Sequence, residues 1–273
     1  MTLATPFAGS LNAVRVLSNG EDLPFGLFAT ALRDTGRSLP GLYELVASYH
    51  CVDGDRDGIS RKIVPADLAS VGADPVLAKA AFDVHERLAA AVNTAGTRCC
   101  PIHTLVGVQQ PTAQSVRFYL GTATLKEQIG DEDHQGDGTV YRYSAGLRDV
   151  RAMPLPQRHA SLAKSDEALS FVEAVLTDRK LGEVQAPPGF GIRVPDFISP
   201  GKPFEVTVVG GTAGGSCRVT DAQTNVQVAA TVVKKRQSRL LATLTVPGSG
   251  LYRVAVAGGG YSSVEELVLA LAE

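Results

Sequence analysis

Gln135-Gly136-Asp137-Gly138-Thr139-Val140, followed by Gln157-Arg158-His159-Ala160-Ser161-Leu162, is the stretch on which the reading of this chain turns. It offers a carboxylate on a glycine turn and then, after an extended segment, an imidazole. An Asp between two glycines can turn sharply and present its side chain to a neighbour. In that order and at that spacing the two groups suit the acid and base of a nucleophile–Asp–His triad. There the imidazole takes a proton from the nucleophile and later returns it, while the carboxylate fixes the tautomer and stabilises the imidazolium. Taken singly, Gly-Asp-Gly is a turn whose Asp bonds its own backbone, and a loop histidine is a solvated side chain. Taken together, around strand patterns, each supports the other.

The flanking patterns predict an α/β fold. Residues 102–108 form a short apolar run typical of a buried strand, placed to feed the acid loop. Residues 150–155 read as a final strand with His159 just past its end. Residues 165–177 read as a closing amphipathic helix, with Ser165 as cap and Asp166 and Glu167 matching the helix dipole in the first turn. Residues 115–125 are a further strand candidate. Upstream, Ser10 caps a short helix over 11–16, Pro40 opens one over 40–49, and Asp74-Pro75 opens a longer one to residue 91. In that last helix Leu77, Ala80, Ala81, Val84, Leu88 and Val92 recur at helical spacing. Pro187-Pro188-Gly189 then reads as a linker. Beyond it, alternating runs at 204–209, 216–220, 226–233, 240–246, 251–257 and 264–271 predict an immunoglobulin-like sandwich, without the Cys…Trp…Cys hallmark because the chain has no tryptophan. The expected role of that part is packing or binding.

Composition excludes some classes. A net charge of −2 over 273 residues gives no long-range attraction to nucleic acid or an anionic membrane surface. Hydrophobic content of 44% with 20% charged residues is that of a soluble chain with a real core, in one large domain or two moderate ones. No run is long enough to span a bilayer, and the first residues carry no secretory pattern. Cys51, Cys99, Cys100 and Cys217 show no C-x-x-C or His/Cys ligand spacing, so no zinc is expected. They are expected as buried free thiols, with a bridge from Cys51 to Cys99 or Cys100 as the alternative in an oxidising compartment. Asp53-Gly54-Asp55-Arg56-Asp57-Gly58 matches the first half of a calcium loop. Val64 stands where the bidentate Glu belongs, and an exposed polar loop is expected instead. Asp131-Glu132-Asp133-His134 reads as a solvated loop leading to Asp137. Lys234-Lys235-Arg236-Gln237-Ser238-Arg239 reads as a hairpin turn, and His50, His85 and His103 as structural. No cofactor or metal is expected.

Five runs carry a family resemblance. They are Thr5-Pro6-Phe7-Ala8-Gly9-Ser10-Leu11, Leu39-Pro40-Gly41-Leu42-Tyr43-Glu44-Leu45, Val106-Gly107-Val108-Gln109-Gln110-Pro111-Thr112, Gly136-Asp137-Gly138-Thr139-Val140 and Gln157-Arg158-His159. In order and without large gaps over residues 1–178, they resemble the lecithin:cholesterol acyltransferase family of α/β-hydrolases, particularly its bacterial members. The resemblance implies that Asp137 is the triad acid and His159 the triad base. It implies a helical cap over about residues 20–100 that shapes an acyl pocket. The activity it implies is serine-dependent acyl transfer or ester hydrolysis on lipid-like esters. The expected fold is therefore the C-terminal part of an α/β-hydrolase sheet with a helical cap (residues 1–180), a linker (181–190) and an all-β immunoglobulin-like sandwich (191–273).

Two departures qualify the resemblance. In that family the Thr-Pro run follows the strand after the nucleophile helix, so a Gly-x-Ser-x-Gly elbow and the oxyanion loop are expected upstream of Met1. No Gly-x-Ser-x-Gly occurs in the chain, and Gly214-Gly215-Ser216 lies in the β-rich part. Tyr141 stands where the family often carries proline. The chain alone is therefore expected to be inactive, since losing the nucleophile and the oxyanion hole removes most transition-state stabilisation. Ser10 is expected as a cap, and an N-terminal segment or a partner would supply the serine. The alternative, from a different class, is a non-catalytic remnant or interaction protein in which both parts only bind.

Overall fold

Residues 1–18, 27–53, 61–95, 101–147, 150–179, 189–211 and 213–272 are described by the computed structural model. In chain order the first elements are β1 (Thr2–Leu3), α1 (Leu11–Leu17), α2 (Leu27–Arg37), α3 (Pro40–Glu44), α4 (Pro65–Ser70), α5 (Pro75–Ala95), β2 (Thr104–Gly107), β3 (Ser115–Tyr119) and β4 (Thr122–Lys126). There follow β5 (Ala152–Leu155), α6 (His159–Leu162) and α7 (Asp166–Leu176). The remainder is all strand: β6 (Gly191–Arg193), β7 (Phe197–Ile198), β8 (Phe204–Val209), β9 (Ser216–Asp221), β10 (Gln227–Val232), β11 (Lys234–Arg236), β12 (Arg239–Leu244), β13 (Gly250–Gly258) and β14 (Tyr261–Ala270). The chain divides into two compact units, residues 1–106 with 112–152, and residues 107–111 with 153–273. This boundary falls earlier than the expected 1–180 and 191–273 domains, so residues 153–179 belong with the strand-rich unit. Most of the expected linker, residues 181–188, lies outside the described residues.

The expected α/β class is corrected. The chain is mostly β, built from several sheets, and among the described residues it forms no α/β-hydrolase core. The reason is visible in the pairing. Within the first unit, among the described residues, the named strands pair in parallel over two rungs, Thr2 with Thr104 and Leu3 with Leu105, and the other parallel pairs are isolated bridges, Ser10 with Val46 and Val52 with Val116. Residues 115–125 do not run as one sheet strand; β3 and β4 fold back on each other as an antiparallel hairpin. Leu120 (φ 46°) and Gly121 (φ 78°) form the turn, and both lie in the left-handed region that two-residue hairpin turns require.

The helices over residues 20–100, expected as a cap, pack with α1 around a core within the first unit. Leu11, Val14 and Leu17 of α1 pack with Tyr43, Val46, Leu68, Ala78 and Val116, all buried. Ser10 caps α1 by accepting from the Asn12 amide at 3.2 Å. The Tyr43 hydroxyl joins two helix ends, donating to the Arg37 carbonyl at 2.9 Å and accepting from the Asp74 amide at 2.9 Å. Of the calcium-loop pattern, residues 54–58 lie outside the described residues, and its first carboxylate, Asp53, is ion-paired with Lys126. Cys51 and Cys217 are buried free thiols, while Cys99 and Cys100 lie outside the described residues.

The second unit holds a five-stranded sheet, β10-β9-β13-β14-β7, and a four-stranded sheet, β11-β12-β8-β6. Their pairings are antiparallel except β14 with β7. Side chains of both sheets share one core, with Phe204, Val206 and Val208 of β8 alternating inward and Val254, Val256, Val264 and Val268 meeting them. The basic run closes as a hairpin, Arg236 opposite Arg239, with Gln237 at φ 54°. Residues 107–111 join this unit through Gln110, whose buried amide donates to the Phe190 carbonyl at 3.0 Å and accepts from the Ile192 amide at 3.1 Å. No described helix is long and apolar enough to cross a membrane.

Candidate functional site

Asp137 lies in the first unit and His159 in the second, and each is set by its own surroundings. The Asp137 turn is a closed loop bridged by Gly136 and Tyr141. Asp137 is 1% exposed. Its Oδ1 accepts from the Thr139 amide at 2.9 Å and the buried Val140 amide at 2.6 Å, so the carboxylate cannot swing freely. Gly138 holds φ 89°, a conformation that favours glycine, and its amide donates to Thr112 Oγ1 at 2.7 Å. A Cβ at position 136 would stand 2.6 Å from both Thr112 Oγ1 and the Val140 carbonyl oxygen, so only glycine fits. Ser10 donates its hydroxyl to the Thr139 carbonyl, tying the start of α1 to the same turn.

The approach to this turn is pinned. Asp131, Glu132 and Asp133 are exposed, as expected of a solvated loop, and the loop is tethered by Gln114, which is fully buried, donates to Asp133 at 2.6 Å and accepts from the His134 amide at 2.9 Å. The His134 ring stacks edge-on to Tyr141 and Tyr143, and Tyr141 packs against Tyr49 at 4.9 Å between centroids. Burial pushes the Tyr141 phenol up to about 12 and raises the Tyr49 phenol well above its ordinary value, so both stay neutral across the physiological range. In the sequence Tyr141 stood out only as a departure from the family's proline, and Gln114, Tyr49 and Tyr143 did not stand out. A glutamine read in isolation gives no sign of its burial.

His159 is the first residue of α6 and half-buried. Its neighbours carry the definition of the segment. Gln157 and Ser161 bond β14, and Arg158 is ion-paired with Glu266. Gln157, Arg158 and Ser161 stood in the run read from the sequence, but their bonds to β14 and the partner Glu266 did not show there. Chemically, a fixed carboxylate and a half-buried imidazole are the two groups from which a hydroxyl nucleophile is activated, each otherwise usable as a structural turn and a structural loop residue. No cluster of three or more His, Cys, Asp or Glu side chains that could hold a metal occurs among the described residues.

No family model and no curated protein matches the sequence. Among solved structures, the chain is similar to the complex of Porphyromonas gingivalis RgpB pro- and mature domains, at 19% identity and a TM-score of 0.25, over 30% of this chain and 19% of that one. It thus spans less than a fifth of that relative. A superoxide reductase (neelaredoxin) from Ignicoccus hospitalis matches at 15% identity and a TM-score of 0.22, over 31% of this chain and 80% of that one. A CARDB domain from Pyrococcus furiosus matches at 18% identity and a TM-score of 0.21, over 31% and 92%. Likenesses of this size carry no argument about activity.

Proposed function

We propose that Asp137 and His159 are the acid and base of a serine-dependent acyl transfer or ester hydrolysis, acting on lipid-like esters. The similarity of their sequence runs to the lecithin:cholesterol acyltransferase family supports this reading. The reading requires a hydroxyl nucleophile supplied by a further segment or by a partner. The chemistry needs a hydroxyl, an imidazole and a carboxylate in line, and that constellation recurs on unrelated folds, so it does not depend on a hydrolase sheet. The serine is acylated as His159 takes its proton; the leaving alkoxide receives that proton; water or an alcohol then accepts the acyl group by the same relay in reverse.

The observation that carries the reading is the buried carboxylate of Asp137, held in one orientation by two backbone amides. A triad acid must be ionised, oriented and shielded from water. The same two hydrogen bonds complete an Asx turn, and they favour the second reading, a non-catalytic interaction protein in which Asp137 only shapes its loop. Hydrolysis of p-nitrophenyl esters separates the two. A version of the protein that includes a Gly-x-Ser-x-Gly segment is expected to turn over, and His159→Ala to abolish turnover. Unchanged turnover in that variant removes His159 from the mechanism.

A further inference from the structure

The strand β14 carries a glutamate at an inward position. Val264, Glu266, Val268 and Ala270 alternate as the buried residues of this strand, and Glu266 is 8% exposed among them. A carboxylate there is strongly disfavoured unless paired. Arg158 supplies the pair through Nε, and its Nη1 donates to the Ile192 carbonyl at 3.2 Å. The open edge of β14 is also occupied. Its partner β7 covers only Leu269 and Ala270. Farther up the strand, Gln157 acts as a strand surrogate, donating from Nε2 to the Ser263 carbonyl at 2.9 Å and accepting from the Glu265 amide at 3.3 Å. Ser161 donates to the Glu265 carbonyl at 3.0 Å. Unpaired edge groups are thereby satisfied. The result brackets one residue. His159 has anchors at positions −2, −1 and +2, all on the sandwich.

We infer that Arg158 and Glu266, with Gln157 and Ser161, are positioning residues that lock the His159 loop onto the sandwich edge, making β14 the support of the proposed base. This rests on the acyl-transfer reading for its catalytic meaning, though the anchoring itself does not. A base must be held close to its productive geometry, and packing plus hydrogen bonds around it provide that. The sandwich is then a scaffold for the chemistry.

The test is amide nitrogen relaxation on the full 273-residue chain. In Glu266→Gln, which keeps the volume and removes the charge, the His159 order parameter is expected to fall from about 0.85 to below about 0.6. The amides of Val206 and Val254 in the sandwich core should remain rigid. Ser161→Ala, which deletes a single hydroxyl, gives the same local reading if Glu266→Gln fails to fold. An unchanged His159 order parameter in a folded variant overturns the inference. So does loosening of the sandwich core to the same extent, because the pair would then hold the fold and not the loop. In the serine-bearing protein, Glu266→Gln is expected to lower kcat about ten-fold with KM held. If His159→Ala leaves turnover intact while the relaxation change is present, the acyl-transfer reading fails and the anchoring stands.

Discussion

Replacing Asp137 by alanine and by asparagine separates what this side chain does for the fold from what it does for chemistry. Alanine deletes the Oδ1 that accepts from Thr139 at 2.9 Å and from Val140 at 2.6 Å. Two amides lose their partner, one of them buried, at about 1–2 kcal/mol each, for a total of about 2–4 kcal/mol. Asparagine keeps a carbonyl oxygen in the same place but removes the charge and puts an amide donor where Oδ2 stood, which costs about 1 kcal/mol or less. Tyrosine fluorescence in urea reads the right unit. The chain has no tryptophan, and five of its seven tyrosines (Tyr43, Tyr49, Tyr119, Tyr141 and Tyr143) lie in the first unit. With a slope of about 2 kcal/mol per molar urea, the alanine variant should unfold about 1–2 M earlier and the asparagine variant at most about 0.5 M earlier. In the serine-bearing protein both variants should lose turnover, the asparagine one by about four orders of magnitude, as expected of a triad acid. Alanine and asparagine variants of equal stability would refute the role given to Oδ1. An asparagine variant with full turnover would refute the role given to the charge.

Three further outcomes follow from the same structure. Tyr43→Phe leaves the Arg37 carbonyl and the Asp74 amide without their shared hydroxyl and should cost about 1–3 kcal/mol in urea denaturation of the first unit. Gly136→Ala drives a methyl into Thr112 and the Val140 carbonyl, and should destabilise the first unit by about 1–3 kcal/mol while leaving the sandwich tyrosines, Tyr252 and Tyr261, on their original unfolding curve. Burial pushes the thiols of Cys51 and Cys217 from 9.0 up to about 12. A raised folded-state value means the unfolded chain gives up these protons first, so their contribution is complete below pH 9 and is lost as pH rises from 9 towards 12. Urea midpoints measured across that range should fall, and the fall should shrink in Cys51→Ala and Cys217→Ala.

What could be read from residues alone was local. The alternation in 204–209 and 264–271 marks β8 and β14 because each has one face in the core. Ser10 and Ser165 sit where a capping hydroxyl is needed, and both accept from helix amides. The glycines around Asp137 announce a turn, and the turn is there. Strand partners were not legible. Residues 102–108 and 150–155 carry the apolar composition of a parallel sheet, but composition does not count the strands beside them. Residues 115–125 hid a hairpin because leucine is not a turn residue, yet Leu120 takes the left-handed conformation. Glu266 was hidden because an acidic residue beside Glu265 looks like solvent-facing charge; its burial depends on Arg158, more than a hundred residues away in sequence.

The proposed function requires that the Asp137 carboxylate and the His159 imidazole act on each other. Proton NMR in water, with His159 assigned through ring nitrogen-15, tests it most directly. The account predicts a protected Nδ1–H resonance for His159 that disappears in Asp137→Asn while the remaining amide spectrum is retained. A His159 ring with no protected proton, or one whose resonance is the same in both proteins, would contradict it.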